Sequence, residues 1–156
     1  MGLRFKMLDL KPAIKIIKQY EGLRLAAYVP PEGAQNGYAI GYGYTRPWVT
    51  KLCLISEEWA DQLLKEHLES ITKDITSLVP SSLNNNQLCA VMSLVYNIGV
   101  GAFKDSTLRR KLLANDFLAA AIEFGKWTKS RGEELPGLVK RGAAERQLFE
   151  RPALVM

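Results

Sequence analysis

Glu21 closes a stretch of helical periodicity, and a turn-rich segment after it ends in Tyr38-Ala39-Ile40-Gly41-Tyr42-Gly43-Tyr44-Thr45. A carboxyl group at the end of an amphipathic helix, just ahead of a glycine- and tyrosine-rich hairpin, is well placed to be held over a cleft. There it could protonate the leaving oxygen of a glycosidic bond. That reaction usually recruits a second group to activate water or to meet the oxocarbenium-like centre. The same spacing also suits a surface carboxylate, or one paired with an arginine. Other chemistries find fewer residues. One histidine and two cysteines, Cys53 and Cys89, do not make a Cys/His zinc site, so no metal or cofactor is implied. His67, the single histidine, falls mid-helix among charged residues, away from any Ser-His-Asp machinery. Cys89 sits in an apolar helix and reads as a small core residue, and a disulfide to Cys53 does not suit a reducing compartment.

The elements that must position Glu21 follow from periodicity. Leu10, Ile14, Ile17 and Tyr20 recur at three- and four-residue spacing, which predicts an amphipathic helix over Leu8–Tyr20 with Pro12 near its start and Gly22 at its end. Turn signals at Pro30-Pro31-Glu32-Gly33 and Asn36-Gly37 separate short segments of strand character, a small antiparallel sheet. Ser56 caps a second helix with Glu57 and Glu58 in its first turn. Its apolar stripe (Trp59, Ala60, Leu63, Leu64, Leu68, Ile71, Ile75, Leu78) stops before Pro80 and suits a connector between two lobes. Asn84 to Asn86 are cap candidates for a helix over Gln87–Ile98, apolar nearly all round and hence buried. A tight bend at Gly99, Gly101 and Ala102 leads to helices over Thr107–Leu113, Phe117–Trp127 (capped by Asp116) and Leu138–Phe149. The expectation is an α+β fold: one domain over residues 1–156, a small antiparallel β lobe at about 22–50, and a larger helical lobe at about 80–150 joined to it by a long helix.

At 156 residues the chain can bury a substantial core, and its 47% apolar and 24% charged content is ordinary for a globular protein. No apolar run approaches the roughly 20 residues that span a bilayer, and no secretory signal is read at the N-terminus. Synthesis in the cytoplasm and no stable membrane insertion are therefore expected. The net charge of +5 favours polyanions in general. Without a dense Lys/Arg run interleaved with aromatics, no nucleic-acid partner is expected. The basic residues of the helical half (Arg109, Arg110, Lys111, Lys126, Lys129, Arg131, Lys140, Arg146) read either as an ordinary solvated face or as an adhesive one.

Several motifs, in order, carry a family resemblance. They are Tyr20-Glu21-Gly22-Leu23-Arg24-Leu25 with Ala27-Tyr28, Ile40-Gly41-Tyr42-Gly43, Leu94-Val95-Tyr96-Asn97-Ile98-Gly99, Ser106-Thr107-Leu108, Trp127, Leu135-Pro136-Gly137-Leu138 and Arg141-Gly142-Ala143-Ala144-Glu145-Arg146. From about residue 12 to 150 the chain resembles the phage-type muramidases (glycoside hydrolase family 24, the T4-lysozyme-like endolysins). The resemblance implies a lysozyme-like fold and cleavage of the N-acetylmuramic acid to N-acetylglucosamine linkage of bacterial peptidoglycan. It implies Glu21 as general acid and Arg141 as the arginine pairing with it across the cleft. Tyr96 and Asn97 would line the sugar groove, with Gly41, Tyr42 and Gly43 forming its other wall. It further implies a monomer that is made in the host cytoplasm and reaches the periplasmic wall through a holin-type pore.

The chain departs from the family pattern beside the acid. Where the family has an Asp or Cys nine positions after the acid, this chain has Pro30, and the family's Thr is Ala39. The His after the hairpin is Tyr44, and the turn is about four residues longer. Three readings of the second catalytic group stay open. Glu32, on the lengthened turn, could supply it. The substrate's own N-acetyl group could assist Glu21 alone, as in single-Glu lytic transglycosylases. Or the domain is a peptidoglycan-binding module that has lost most hydrolysis.

Overall fold

A computed structural model describes residues 8–30, 33, 35, 37–130 and 132–152 of the chain. Helix α1, Lys11–Glu21, carries Pro12 in its first turn and buries Ala13, Ile16 and Ile17 on one stripe. It starts and ends slightly later than the apolar spacing predicts. Pro12, with no amide hydrogen to satisfy, sets the start. Gly22, at φ 75°, closes the end by donating its N–H to the Lys18 carbonyl, so Glu21 is the last helical residue.

Three short antiparallel strands follow in the order β1 (Arg24–Tyr28), β2 (Ala39–Gly41) and β3 (Tyr44–Thr45). Arg24 pairs with Gly41 and Tyr28 with Ala39, with an irregularity between them, while Ile40 faces Tyr44 across the hairpin. The segment at Cys53–Ile55 adds to the free edge of β1 through Ala27 N–H to the Cys53 carbonyl (3.0 Å) and Ile55 N–H to the Leu25 carbonyl (2.9 Å). All three residues of β2 are buried, so this strand is the inner wall of the sheet.

Helix α2, Glu57–Ile75, begins at Ser56, whose hydroxyl accepts from the Trp59 N–H at 3.1 Å. Its 19 residues reach about 28 Å at the usual helical rise. It packs on β2 and β3 and on the central helix of the other lobe, so it connects the sheet to the helical body. The stripe predicts continuation to Leu78, but the last turn before Pro80 leaves the helix, with Leu78 N–H bonding to the Ile75 carbonyl at 2.8 Å. The central helix α3, Asn85–Ile98, opens on a reciprocal capping box between Asn84 and Gln87 and is buried from Leu88 to Val95. Gly99, at φ 88°, interrupts it for one residue before α4, Val100–Lys104. The predicted bend is thus a single left-handed glycine between two helices.

Helices α5 (Thr107–Leu113) and α6 (Phe117–Glu123) are capped by Ser106 and Asp116. The helix expected to run to Trp127 instead tightens into a 3₁₀ turn at Phe124–Lys126. A two-stranded ribbon that the sequence did not predict follows, β4 (Lys129–Ser130) with β5 (Glu133–Glu134). Helix α7, Pro136–Glu150, then packs along α3 and across the 3₁₀ turn. The architecture is a small antiparallel sheet and a larger helical lobe joined by α2.

Candidate active site

A cleft of about 550 Å³ lies where α1, the sheet, α2 and the helical lobe meet. Glu21, Ala39, Gly43, Tyr96 and Asn97 line it, with Trp127 and Lys129 on the helical side. Glu21 is the one carboxylate among its described lining residues.

Glu21 is held from behind by a guanidinium. Arg141 of α7 is 2% exposed and donates from Nη1 to Glu21 Oε1 at 2.7 Å. Its Nη2 donates to the Ser93 carbonyl at 3.0 Å and its Nε to Glu145 Oε2 at 3.3 Å. The side chain of Glu21 keeps 24% of its surface open. Its second oxygen lies against the hairpin. A Cβ built on Gly43, which sits at φ 82°, would come 3.1 Å from Glu21 Oε2. Glycine there lets the backbone approach the acid and adopt a conformation that L side chains rarely take. One oxygen is thus fixed by a cation, and the other faces the bare hairpin at the cleft wall.

Tyr96 and Asn97, at the C-terminal end of α3, both reach the cleft. The Tyr96 hydroxyl donates to the Tyr42 carbonyl and ties the helical lobe to the hairpin. Burial, with the Glu21 charge adding to it, raises the pKa of this phenol well above its usual range. The Asn97 side chain makes no hydrogen bond to another described residue, so its amide is available to the cleft.

Three of the expected groove residues, Gly41, Tyr42 and Arg141, stand elsewhere. Gly41 and Tyr42 are not on the cleft. A Cβ on Gly41 would meet Ala60 Cβ and Ile55 Cδ1 at 3.5 Å, so this residue faces α2. The Tyr42 ring is buried under Lys18, whose Nζ lies 5.3 Å from its centroid. Tyr42 and Gly43 form the turn between β2 and β3, and that turn leaves Gly43 as the hairpin residue beside the acid. Arg141 is too deeply buried to touch a ligand, so its contact with the groove runs through Glu21. Glu32 lies outside the described residues. Pro30 is buried at the cleft wall and Ala39 lines it at 1% exposure, so neither departed position supplies a polar group.

His67 is the residue that sequence reasoning missed. Its charged neighbours Lys65, Glu66 and Glu69 are exposed, but its own ring lines the cleft. It packs 4.7 Å from the Tyr96 ring and edge-on to Tyr44 at 6.5 Å. Burial, and then the Arg46 charge, lowers its pKa, and its buried Nδ1 has no partner among the described residues. The signal was present: position 67 falls on the stripe Ala60, Leu63, Leu64, Leu68, Ile71 at helical spacing. Cys53 and Cys89 are both free thiols, with Cys89 in the core and pushed up to about 11 by burial. Among the described residues no three of His, Cys, Asp or Glu come together to hold a metal.

Comparison with known proteins bears on this arrangement. The phage lysozyme family model matches residues 18–145. The endolysin of Acyrthosiphon pisum secondary endosymbiont phage 1 is 41% identical over 139 residues, covering 86% of this chain and 92% of that protein. The endolysin of Bacillus phage B103 is 43% identical over 138 residues, 87% of this chain, but the chain spans only 51% of that protein's length. Among solved structures, the muramidase domain of SpmX from Asticaccaulis excentricus superposes with a TM-score of 0.82 at 32% identity, covering 93% of this chain and 99% of that one.

Proposed function

The chain belongs to the phage lysozyme family, and from that premise we propose that it is an endolysin-type muramidase cutting the glycan strands of bacterial peptidoglycan with Glu21 as general acid. The observation that supports this reading most is the placement of Glu21. It is a single carboxyl group at the end of α1, fixed on one oxygen by Arg141, with the other beside the bare Gly43 backbone at the wall of a cleft of about 550 Å³. In the reaction, Glu21 gives its proton to the bridging oxygen between N-acetylmuramic acid and N-acetylglucosamine as the C1–O bond breaks. The oxocarbenium-like C1 is then captured by water, whose proton returns to Glu21. Tyr96 and the hairpin hold the two walls in register, and Asn97 offers an amide to the acetamido or hydroxyl groups of the sugar.

One observation favours a second outcome for the same acid. Among the described residues, no second carboxylate lines the cleft opposite Glu21, where the family positions are Pro30 and Ala39. A substrate that supplies its own nucleophile would answer this. Attack by the muramyl C6 hydroxyl on C1 gives a 1,6-anhydro end, with Glu21 serving as acid and then base. Both outcomes need Glu21.

The partner is the peptidoglycan of the periplasmic cell wall. The protein acts as a monomer, made in the host cytoplasm and released through a holin-type pore. Incubating purified Gram-negative sacculi with the native protein and with Glu21→Gln tests the activity. The variant is expected to release fragments about 10²–10⁴ times more slowly, the usual loss on removing a general acid. Equal release by both, or release by neither while both co-sediment with the wall, would overturn the hydrolase and leave a wall-binding domain.

A further inference from the structure

Behind Glu21 lies a second carboxyl group that the proposed reaction does not use. Glu145 is 1% exposed, one turn beyond Arg141 on α7. Its Oε2 accepts from the Ser93 hydroxyl at 2.5 Å and from Arg141 Nε at 3.3 Å. The backbone carbonyl of the same Ser93 accepts from Arg141 Nη2 at 3.0 Å. Helix α3 therefore grips both members of the pair from behind, and the guanidinium cannot swing towards water. One cation lies between two carboxyl groups, Glu21 at the cleft and Glu145 sealed inside.

We propose that Glu145, seated by Ser93, is a positioning residue for Glu21: it orients Arg141 and shares its charge, so that the proton on Glu145 sets how strongly Arg141 acts on the acid in the cleft. This rests on the reading of Glu21 as the reacting acid. When Glu145 is protonated, Arg141 faces one carboxylate, and its field falls wholly on Glu21. When Glu145 is ionised, the same charge is divided between two. Burial pushes the Glu145 carboxyl up to about 7, with Arg141 and the Ser93 hydroxyl opposing, so both forms are populated near neutrality. The groups that face it are Arg141 from its own helix, Ser93 from α3 and, through the guanidinium, Glu21 from α1. The Tyr96 phenol, held protonated by burial, adds no charge to the cluster.

The test is a carbon-13 NMR titration of the glutamate side-chain carboxyls in the native protein, in Glu21→Gln and in Ser93→Ala. Glu145 is expected to titrate near neutrality in the native protein. Its midpoint should fall by about one pH unit in Glu21→Gln, where Arg141 no longer divides its charge, and rise in Ser93→Ala, which loses a donor to the carboxylate. A Glu145 midpoint that is the same in native protein and Glu21→Gln would overturn the proposal. The pH profile of kcat/KM supplies the functional half. Glu145→Gln should move the profile with KM little changed, and Ser93→Ala serves in its place should Glu145→Gln not fold. A variant profile that superposes on the native one would mark Glu145 as a packing residue only. A native protein that releases no fragments at any pH would defeat the hydrolase reading, while the titration would still decide whether the two carboxyl groups share Arg141.

Discussion

At the scale of single residues the site is built from contacts that tolerate little change. Gly43 combines a left-handed backbone with a Cβ direction aimed at Glu21 Oε2. Gly43→Ala is expected to lower kcat on sacculi by about tenfold to a hundredfold, since small displacements of a reacting group cost that much. The added backbone strain should cost about 1–2 kcal/mol of stability. Denaturation and activity measured on one preparation separate the two effects, and a variant of native activity would show that the hairpin does not hold the acid. Glu145 makes a different prediction. Its carboxyl is raised from its ordinary 4.5 to about 7 in the fold, so between those values the folded protein holds a proton that the unfolded chain has lost. The contribution is fully present below about 4.5 and disappears as pH rises through about 7. Thermal midpoints measured at about pH 5 and about pH 8 should therefore fall more steeply in the native protein than in Glu145→Gln. Equal slopes would contradict the buried, proton-holding carboxyl.

At the scale of elements, helix α7 sits close enough to the 3₁₀ turn that a Cβ on Gly142 would come 2.6 Å from the Phe124 carbonyl oxygen. A backbone atom cannot rotate aside. Gly142→Ala is accordingly expected to destabilise by about 1–3 kcal/mol, as overpacking usually does, measurable as a lower denaturation midpoint. An unchanged midpoint would mean that the helix shifts freely. Elements with strong local signals were legible in the sequence: Ser56 as a cap, a second cap within Asn84–Asn86, the stripe of α2, the apolar α3 and the left-handed glycines. The ribbon of β4 and β5 was not, because two-residue strands of Lys, Ser and Glu carry no alternation. Nor was the facing of the hairpin. Strand alternation would put Gly41 and Gly43, two positions apart, on one face, whereas the turn at Tyr42-Gly43 breaks the alternation and brings Gly43 alone to the acid. His67 is hidden by the exposed charges on either side of it, although it belongs to the apolar stripe of α2. The link between Arg141 and Glu21 spans 120 positions, and only the resemblance pointed to it.

At the scale of the whole molecule, the net charge of +5 suits the proposed work on an anionic wall. Several cations of the helical lobe also serve internally. Arg109 donates to the Leu78 and Lys104 carbonyls, Arg110 to the Asp105 carbonyl, and Arg146 and Lys126 pair with Glu150 and Glu123. Attraction to the wall should then be diffuse and screened. Co-sedimentation of Glu21→Gln with sacculi is expected to weaken severalfold as salt rises from about 0.01 M to about 0.15 M, where the screening length falls from about 30 Å to about 8 Å. Salt-independent binding would place recognition in the cleft instead. The central claim, that Glu21 breaks a glycosidic bond, is tested most directly by digesting sacculi in oxygen-18 water with native protein and with Glu21→Gln, and weighing the muramyl ends. Native protein should yield fragments whose new reducing ends carry one heavy oxygen, with 1,6-anhydro ends free of label marking the internal-nucleophile route, and Glu21→Gln should yield neither at a comparable rate. No new ends from the native protein, or the same ends at the same rate from the variant, would contradict it.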